Sequence, residues 1–595
     1  MTVHQQGAGQ RYARWHPRGR GPLFGRGAAA ALVLALAGTG LAVGAPAEGS
    51  GADTAGAGTA QRAGAVPAGP AGAAHTIDWR PCDGDGKGKG GASKAGRGDG
   101  DPGQDGREDR SGAGSEPGAE CGILRVPVDW ADPGGASFDL HLARRTAGSP
   151  GKRAGSLVFG PGGPGDSGVE RIRTGMSRFS ETLRDRFDVV SFDPRGVGRS
   201  NPVVCSAELL ARQPSPLIGS EAAFAETVRY NRALREDCRR RTGPLFDHVD
   251  TLSMVKDLDA VRAALGERAL TFHGSSYGTL LGEQYAERYP GRVRAMVLES
   301  VVDHSAGTGD FLRSQAATVQ DSFEEFAAWC DRTESCALHG RDVPEVWGRL
   351  LARAEAGKLP DPEDPARALS AFEVSVLAMK RFYDPQWAEL AQTLAALDGT
   401  GDVRRQAGGP PRAQTGEAPR ARADERQEKR KGKSKSKSKG KEKGKGAAGA
   451  EVAPNPFEVF CQDWDLPAAD YPAYAAQLRR VAEVAPDMRY PRALMSVSAC
   501  LGGPSPVANP QHRLRVPPGA PILLTNSRHD PATGYDWAAS VTRQLGGRGV
   551  LLGYEGWGHG TYTSSPCARR AVDRYLLTRE TPAPGTRCPA VEPAG

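Results

Sequence analysis

Gly274-Ser275-Ser276-Tyr277-Gly278 sets a serine hydroxyl between two glycines, the G-x-S-x-G spacing in which a sharp turn lifts the side chain clear of the backbone. In a chain with 78 glycines the five letters carry little weight alone, so their setting decides. The apolar run 270–273 leads straight into them and 279–288 is compatible with a helix, which puts Ser276 on a strand–turn–helix junction. A serine hydroxyl at its ordinary pKa is a weak nucleophile and needs a base held by an acid. In the expected chain order of serine, acid, histidine, the candidates are Asp530 in Asn526-Ser527-Arg528-His529-Asp530-Pro531 and His559 in Gly556-Trp557-Gly558-His559-Gly560. His559 would take the Ser276 proton and pass it to the leaving group, while Asp530 would fix its tautomer and stabilise the imidazolium. Acyl transfer also calls for donors to the developing oxyanion. The backbone N–H of Tyr277 is one candidate and that of Gly163, in the glycine-rich run 160–165, is the other. The rivals are His529, which as the neighbour of Asp530 should point elsewhere, and Asp536, which falls in the expected next helix. His273 reads as a core residue and His304 as a loop residue.

These residues need strand ends to hold them. Apolar runs bounded by Gly, Pro and Asp recur at 156–159, 187–192, 269–273, 293–298, 521–525 and 550–554, alternating with amphipathic stretches as in a mainly parallel sheet covered by helices. Between about 305 and 509 the period turns helical, as at 323–329, 346–356, 372–397 and 474–484. The expected fold class is α/β, an α/β-hydrolase fold whose mainly parallel sheet carries an inserted, mostly helical cap. The chain then divides into an N-terminal segment 48–150, a first core part 151–304, the cap 305–510 and a closing core part 511–595.

Residues 1–47 read as an export signal: five arginines from Arg11 to Arg26, an apolar run 28–43 too short for a membrane span, and the small-residue site Ala45-Pro46-Ala47. All ten cysteines lie beyond it, and none forms a CxxC or Cys/His cluster with metal-ligand spacing. A disulfide framework outside the cytosol is expected, and the spacing suggests neighbour pairing: Cys82–Cys121, Cys205–Cys238, Cys330–Cys336, Cys461–Cys500 and Cys567–Cys588. The net charge of +7 is misleading, since 403–450 supply +11 and 1–47 supply +5, leaving −9 for the rest. The stretches 83–118 and 403–450 are too polar to bury a core and are expected to be disordered. The lysine-rich 429–446 offers weak contact with an anionic wall or membrane surface, and without interleaved aromatics it is a poor nucleic-acid platform.

Taken together, Ile77-Asp78-Trp79-Arg80-Pro81-Cys82, Val126-Pro127-Val128-Asp129-Trp130, Gly162-Gly163-Pro164-Gly165, the run 193–200, the elbow and the terminal block with Asp530 and His559 resemble one family. It is the actinobacterial tripeptidyl aminopeptidase branch of the α/β-hydrolases, related to proline iminopeptidases. The resemblance implies a secreted, cofactor-free exopeptidase acting on peptide or protein N-termini, with Ser276, Asp530 and His559 as triad, Gly163 and Tyr277 as oxyanion donors, and 193–200 as a structural turn. One departure is Gly534, where the family commonly has proline after the threonine. Recognition of an ammonium group calls for a carboxylate near the site, and Asp463, Glu324 and Glu325 in the cap are candidates. The same triad also suits a secreted carboxylesterase or lipase, and a wall-associated binding protein is the reading outside enzymes.

Overall fold

The computed structural model describes residues 76–82, 118–364, 366–399 and 451–593. The signal segment 1–47, all but Gly118 of 83–118, and the basic stretch 403–450 with its lysine-rich 429–446 lie outside them.

Among the described residues twelve strands form, in chain order: β1 Arg80–Pro81, β2 Glu120–Pro127, β3 Ser137–Arg145, β4 Gly155–Gly160, β5 Phe187–Phe192, β6 Val204–Ser206, β7 Leu270–Ser275, β8 Val293–Glu299, β9 Val452–Pro454, β10 Ile522–His529, β11 Gly549–Trp557 and β12 Arg587–Cys588. Ten of them make one sheet ordered β1-β2-β3-β5-β4-β7-β8-β10-β11-β12, and β6 pairs with β9 in a small second sheet. The pairs from β5 through β12 are parallel, while β1, β2 and β3 add on antiparallel.

The central parallel strands are mostly apolar and buried because both faces are covered. Leu157 and Phe159 of β4 pack on one side with Val169, Leu183, Val572 and Leu576. Val158 between them packs on the other with Val255, Leu258, Leu281 and Val541. Alternate side chains on a strand point to opposite faces, so helices Gly168–Thr174, Glu181–Arg186 and Pro566–Thr578 cover one face. Helices Thr251–Ala264, Tyr277–Arg288 and Tyr535–Gln544 cover the other.

The cap holds helices Thr308–Arg332, Val343–Glu355, Ala371–Tyr383, Trp387–Leu397, Phe457–Asp463, Tyr471–Val484 and Ala493–Cys500. The periodic stretch 372–397 is two helices, because Pro385 lacks a backbone donor and breaks the run after Tyr383. Ser370 and Glu373 close a reciprocal capping box at the start of the first of these. Helix Glu221–Thr242, which precedes β7 in the chain, joins the cap: Asn231 Nδ2 donates to the carbonyls of Ser498 and Leu501. The β6–β9 pair ties the same excursion to the cap.

Five disulfides join Cys82–Cys121, Cys205–Cys238, Cys330–Cys336, Cys461–Cys500 and Cys567–Cys588. They pin β1 to β2, β6 to helix Glu221–Thr242, helix Phe457–Asp463 to Ala493–Cys500, and the last helix to β12. Among the described residues no helix is long and apolar enough to cross a membrane.

Candidate active site

β7 ends at Ser275, and helix Tyr277–Arg288 begins one residue after Ser276. Ser276 between them sits at φ 55, ψ −124, a backbone conformation that costs an L-residue about 1–3 kcal/mol. Neighbouring contacts hold it there. Its N–H donates to Glu299 O at 2.9 Å, and its carbonyl accepts from Thr279 N–H and Thr279 Oγ1, each at 2.8 Å. Tyr277 occupies the first turn, where N–H groups have no intrahelical acceptor and the helix dipole favours negative charge.

The glycines of this turn let two chain segments touch. A Cβ on Gly278 would lie 2.3 Å from Gly160 O and 2.7 Å from Pro161 O. A Cβ on Gly162 would lie 3.1 Å from Ser276 Cβ. The 160–165 loop at the end of β4 therefore rests directly on the elbow. Behind it, Asp193 Oδ1 accepts from Ser167 Oγ at 2.6 Å and Val169 N–H at 3.0 Å, while Oδ2 accepts from Arg199 N–H at 2.7 Å. Arg195 of the same turn makes a fully buried bidentate pair with Asp257, both bonds at 2.7 Å. The Asp193 bonds hold the start of helix Gly168–Thr174, and the Arg195 pair ties the turn to helix Thr251–Ala264.

Asp530 and His559 follow β10 and β11 in the chain. His559 Nδ1 lies 2.9 Å from Asp530 Oδ1 and 3.0 Å from Oδ2. Asp530 is 1 % exposed. It also accepts from the N–H groups of Ala532 and Thr533, each at 2.9 Å, and from Thr533 Oγ1 at 3.1 Å. A carboxylate so fully engaged fixes the imidazole orientation and commits Nδ1, so Nε2 is the ring nitrogen that can exchange a proton. The cap completes the His559 setting: its N–H donates to Tyr383 O at 2.7 Å, and the two rings lie 4.9 Å apart.

His529 turns away from this pair. Its Nδ1 meets Asp321 Oδ2 at 2.9 Å, and although burial works against its proton, the Asp321 bond raises its pKa. Asp536 is exposed in the first turn of helix Tyr535–Gln544.

The three cap carboxylates separate. Asp463 is not an open ammonium site: it is fully buried, and four donors fill its acceptor positions. Thr251 N–H and Asn509 Nδ2 reach Oδ1 at 2.7 and 2.8 Å, and Thr251 Oγ1 and the Tyr277 hydroxyl reach Oδ2 at 2.5 and 2.6 Å. Burial pushes Asp463 up to about 7 against these donors, and it clasps the cap to the helix that starts at the elbow. Glu324 points outward, exposed, with Gln320 as its donor at 3.0 Å. Glu325 is the one bonded to the strand that leads to His559: its Oε2 accepts the indole N–H of Trp557, two residues before His559, at 2.9 Å. Asp321 stands one turn earlier on the same helix.

Sequence reasoning missed Glu299. This carboxylate, fully buried at the end of β8, accepts from Thr561 N–H and Tyr562 N–H, both at 2.7 Å. It also contacts Arg178 Nη2 at 2.5 Å and His273 Nε2 at 3.0 Å. Burial opposes its charge, but Arg178 and these hydrogen bonds hold it well below the usual carboxylate range. An acidic residue closing the apolar run 293–298 was the available signal. Among the described residues no cluster of three or more His, Cys, Asp or Glu side chains is placed to hold a metal ion.

The chain matches the α/β-hydrolase fold model over residues 155–411 and the TAP-like protein model over 487–588. It is 33% identical over 495 residues to serine protease Hip1 of Mycobacterium tuberculosis, covering 79% of this chain and 87% of that protein. It is 30% identical over 490 residues to tripeptidyl aminopeptidase of Streptomyces lividans, covering 79% and 83%. Carboxylesterase B of M. tuberculosis is 29% identical over 489 residues, covering 79% and 86%. With the strand–turn–helix geometry at Ser276 and these matches along both halves of the core, the chain belongs to the α/β-hydrolase family, in its TAP-like branch.

Proposed function

We propose that the chain is an exported serine exopeptidase that releases short peptides, tripeptides above all, from free N-termini through an acyl-enzyme on Ser276. The observation that carries this reading is His559 Nδ1 held at 2.9 and 3.0 Å from the two Asp530 oxygens, with Ser276 strained at φ 55 on a strand end of the same sheet. As Ser276 Oγ attacks the scissile carbonyl, His559 Nε2 takes its proton and the N–H groups of Tyr277 and Gly163 receive the charge on oxygen. His559 then protonates the leaving amine, and water repeats the two steps to free the peptide.

Peptide N-termini are favoured over other acyl groups by Glu325, a carboxylate bonded to Trp557 two residues before His559, which offers negative charge for a substrate ammonium. The tripeptidyl aminopeptidase and serine protease names of two relatives support the same class. Five disulfides support a compartment outside the cytosol. A second reading, a carboxylesterase with the same triad, draws on the relative that carries that name.

Free-amine tripeptide amides, their N-acetylated forms and simple aryl esters, tested beside Ser276→Ala, separate the readings. The peptidase predicts turnover of the free-amine tripeptides and little of the blocked ones. Loss of the nucleophile should cost on the order of 10⁶ in turnover. Ester hydrolysis without tripeptide release would reject the peptidase, and activity surviving in Ser276→Ala would reject the mechanism.

A further inference from the structure

β8 runs between the strand of the nucleophile and the strand of the acid, with Glu299 opposite Ser275 on one side and Thr525 on the other. From this position its main chain and its side chain reach two different catalytic segments. The carbonyl oxygen accepts the Ser276 N–H at 2.9 Å. One carboxylate oxygen, Oε1, accepts the N–H groups of Thr561 and Tyr562, the second and third residues past His559. The other, Oε2, is anchored by Arg178 and His273. Arg178 also donates to Ser275 Oγ at 3.2 Å.

We propose that Glu299 is a positioning residue that sets the His559 loop against Ser276, so that the distance over which the proton moves is fixed from inside the sheet. The proposal rests on the reading of Ser276, His559 and Asp530 as the triad. Two charge-assisted bonds to consecutive backbone N–H groups fix both the height and the twist of a loop, which one bond could not do. A rigid tie matters here because a misplacement of about 1 Å at a reacting group costs on the order of 10² in rate. The charged and titratable groups around the carboxylate are Arg178 from the loop before helix Glu181–Arg186, His273 from β7, and Asp573, which binds the Tyr562 hydroxyl. Asp530 faces His559 itself.

The test uses Glu299→Gln and Arg178→Gln in the full chain, with turnover expressed per serine titrated by a fluorophosphonate. The substrate is whichever of an aryl ester or a tripeptide amide the parent hydrolyses, so failure of the peptidase reading leaves this comparison intact. Glu299→Gln should lose about 10- to 100-fold in kcat with KM within about twofold, since geometry changes and substrate contacts do not. It leaves the Arg178 charge uncompensated, so the acid limb of kcat/KM should move to lower pH. Arg178→Gln keeps the loop-holding oxygen and frees its negative charge, so its limb should move to higher pH with a smaller loss in kcat. Opposite shifts are not expected of a residue that only supports the fold. Turnover per serine within twofold of the parent in folded Glu299→Gln would overturn the proposal. If that variant does not fold, an unmoved acid limb in Arg178→Gln overturns it instead.

Discussion

Replacing Gly278 with alanine tests the contact between the elbow and the loop proposed to hold the second oxyanion donor. The new Cβ would sit 2.3 Å from Gly160 O, and real Cβ contacts do not fall below 3.0 Å, so the loop must retreat by at least ~0.7 Å. The obstacle is backbone on both sides, so no side-chain rotation relieves it. A donor that starts about 2.9 Å from the oxyanion then stands near ~3.6 Å, outside hydrogen-bond range. Losing one such donor lowers kcat by about 10²–10³, and the overpacking costs about 1–3 kcal/mol in stability. The assay is kcat and KM on an aryl ester, normalised to fluorophosphonate-titrated serine, with a thermal melt to show that the protein is folded. Gly348→Ala is the control: it lies exposed in helix Val343–Glu355, and a Cβ there meets nothing within 4 Å. It should leave kcat unchanged and add roughly 0.5–1 kcal/mol of stability. Folded Gly278→Ala with kcat within threefold of the parent would show that the loop does not depend on that glycine.

Three further outcomes are expected. Glu325→Gln should raise KM for a free-amine tripeptide amide by about 10-fold and leave aryl-ester kinetics unchanged, since a charge-assisted bond contributes about 1.5–3 kcal/mol; equal effects on both substrates would remove the ammonium role. Asp257→Ala strands the Arg195 guanidinium, which is fully buried, and should lower the unfolding free energy in urea by about 3–5 kcal/mol. His304 is buried with Nε2 2.6 Å from Asp463 O, and burial lowers its pKa to about 4, so the unfolded chain binds a proton that the folded chain refuses. Stability should therefore fall as pH drops from 6.5 toward 4, by on the order of 3 kcal/mol from this group, and the slope should flatten in His304→Gln.

The parallel strands were legible because strands covered on both faces read as unbroken apolar runs, and 187–192 matches β5 residue for residue. The antiparallel pair β2 and β3 was missed. Its buried and exposed positions alternate, with Ile123 48 % exposed beside buried Leu124, so no apolar run marks it. At the site, chain order put Asp530 and His559 at strand ends, and the structure pairs their side chains. Asp463 shows what sequence alone conceals. A carboxylate beside a cap cysteine looks like an accessible acid, yet its partners Thr251, Tyr277 and Asn509 lie 212, 186 and 46 residues away, so only the folded chain reveals that its acceptors are filled. Glu299 was hidden for the same reason, its bonds spanning 26 to 263 residues.

In the proposed mechanism Ser276 carries the acyl group of a peptide whose N-terminus is free. Acid quench within milliseconds of mixing with a free-amine tripeptide ester, followed by mass mapping, tests it directly. A tripeptidyl adduct is expected on the peptide containing Ser276, absent from Ser276→Ala and strongly reduced with the N-acetylated ester. Turnover with the adduct on another residue, or equal labelling by blocked and free tripeptides, would contradict it.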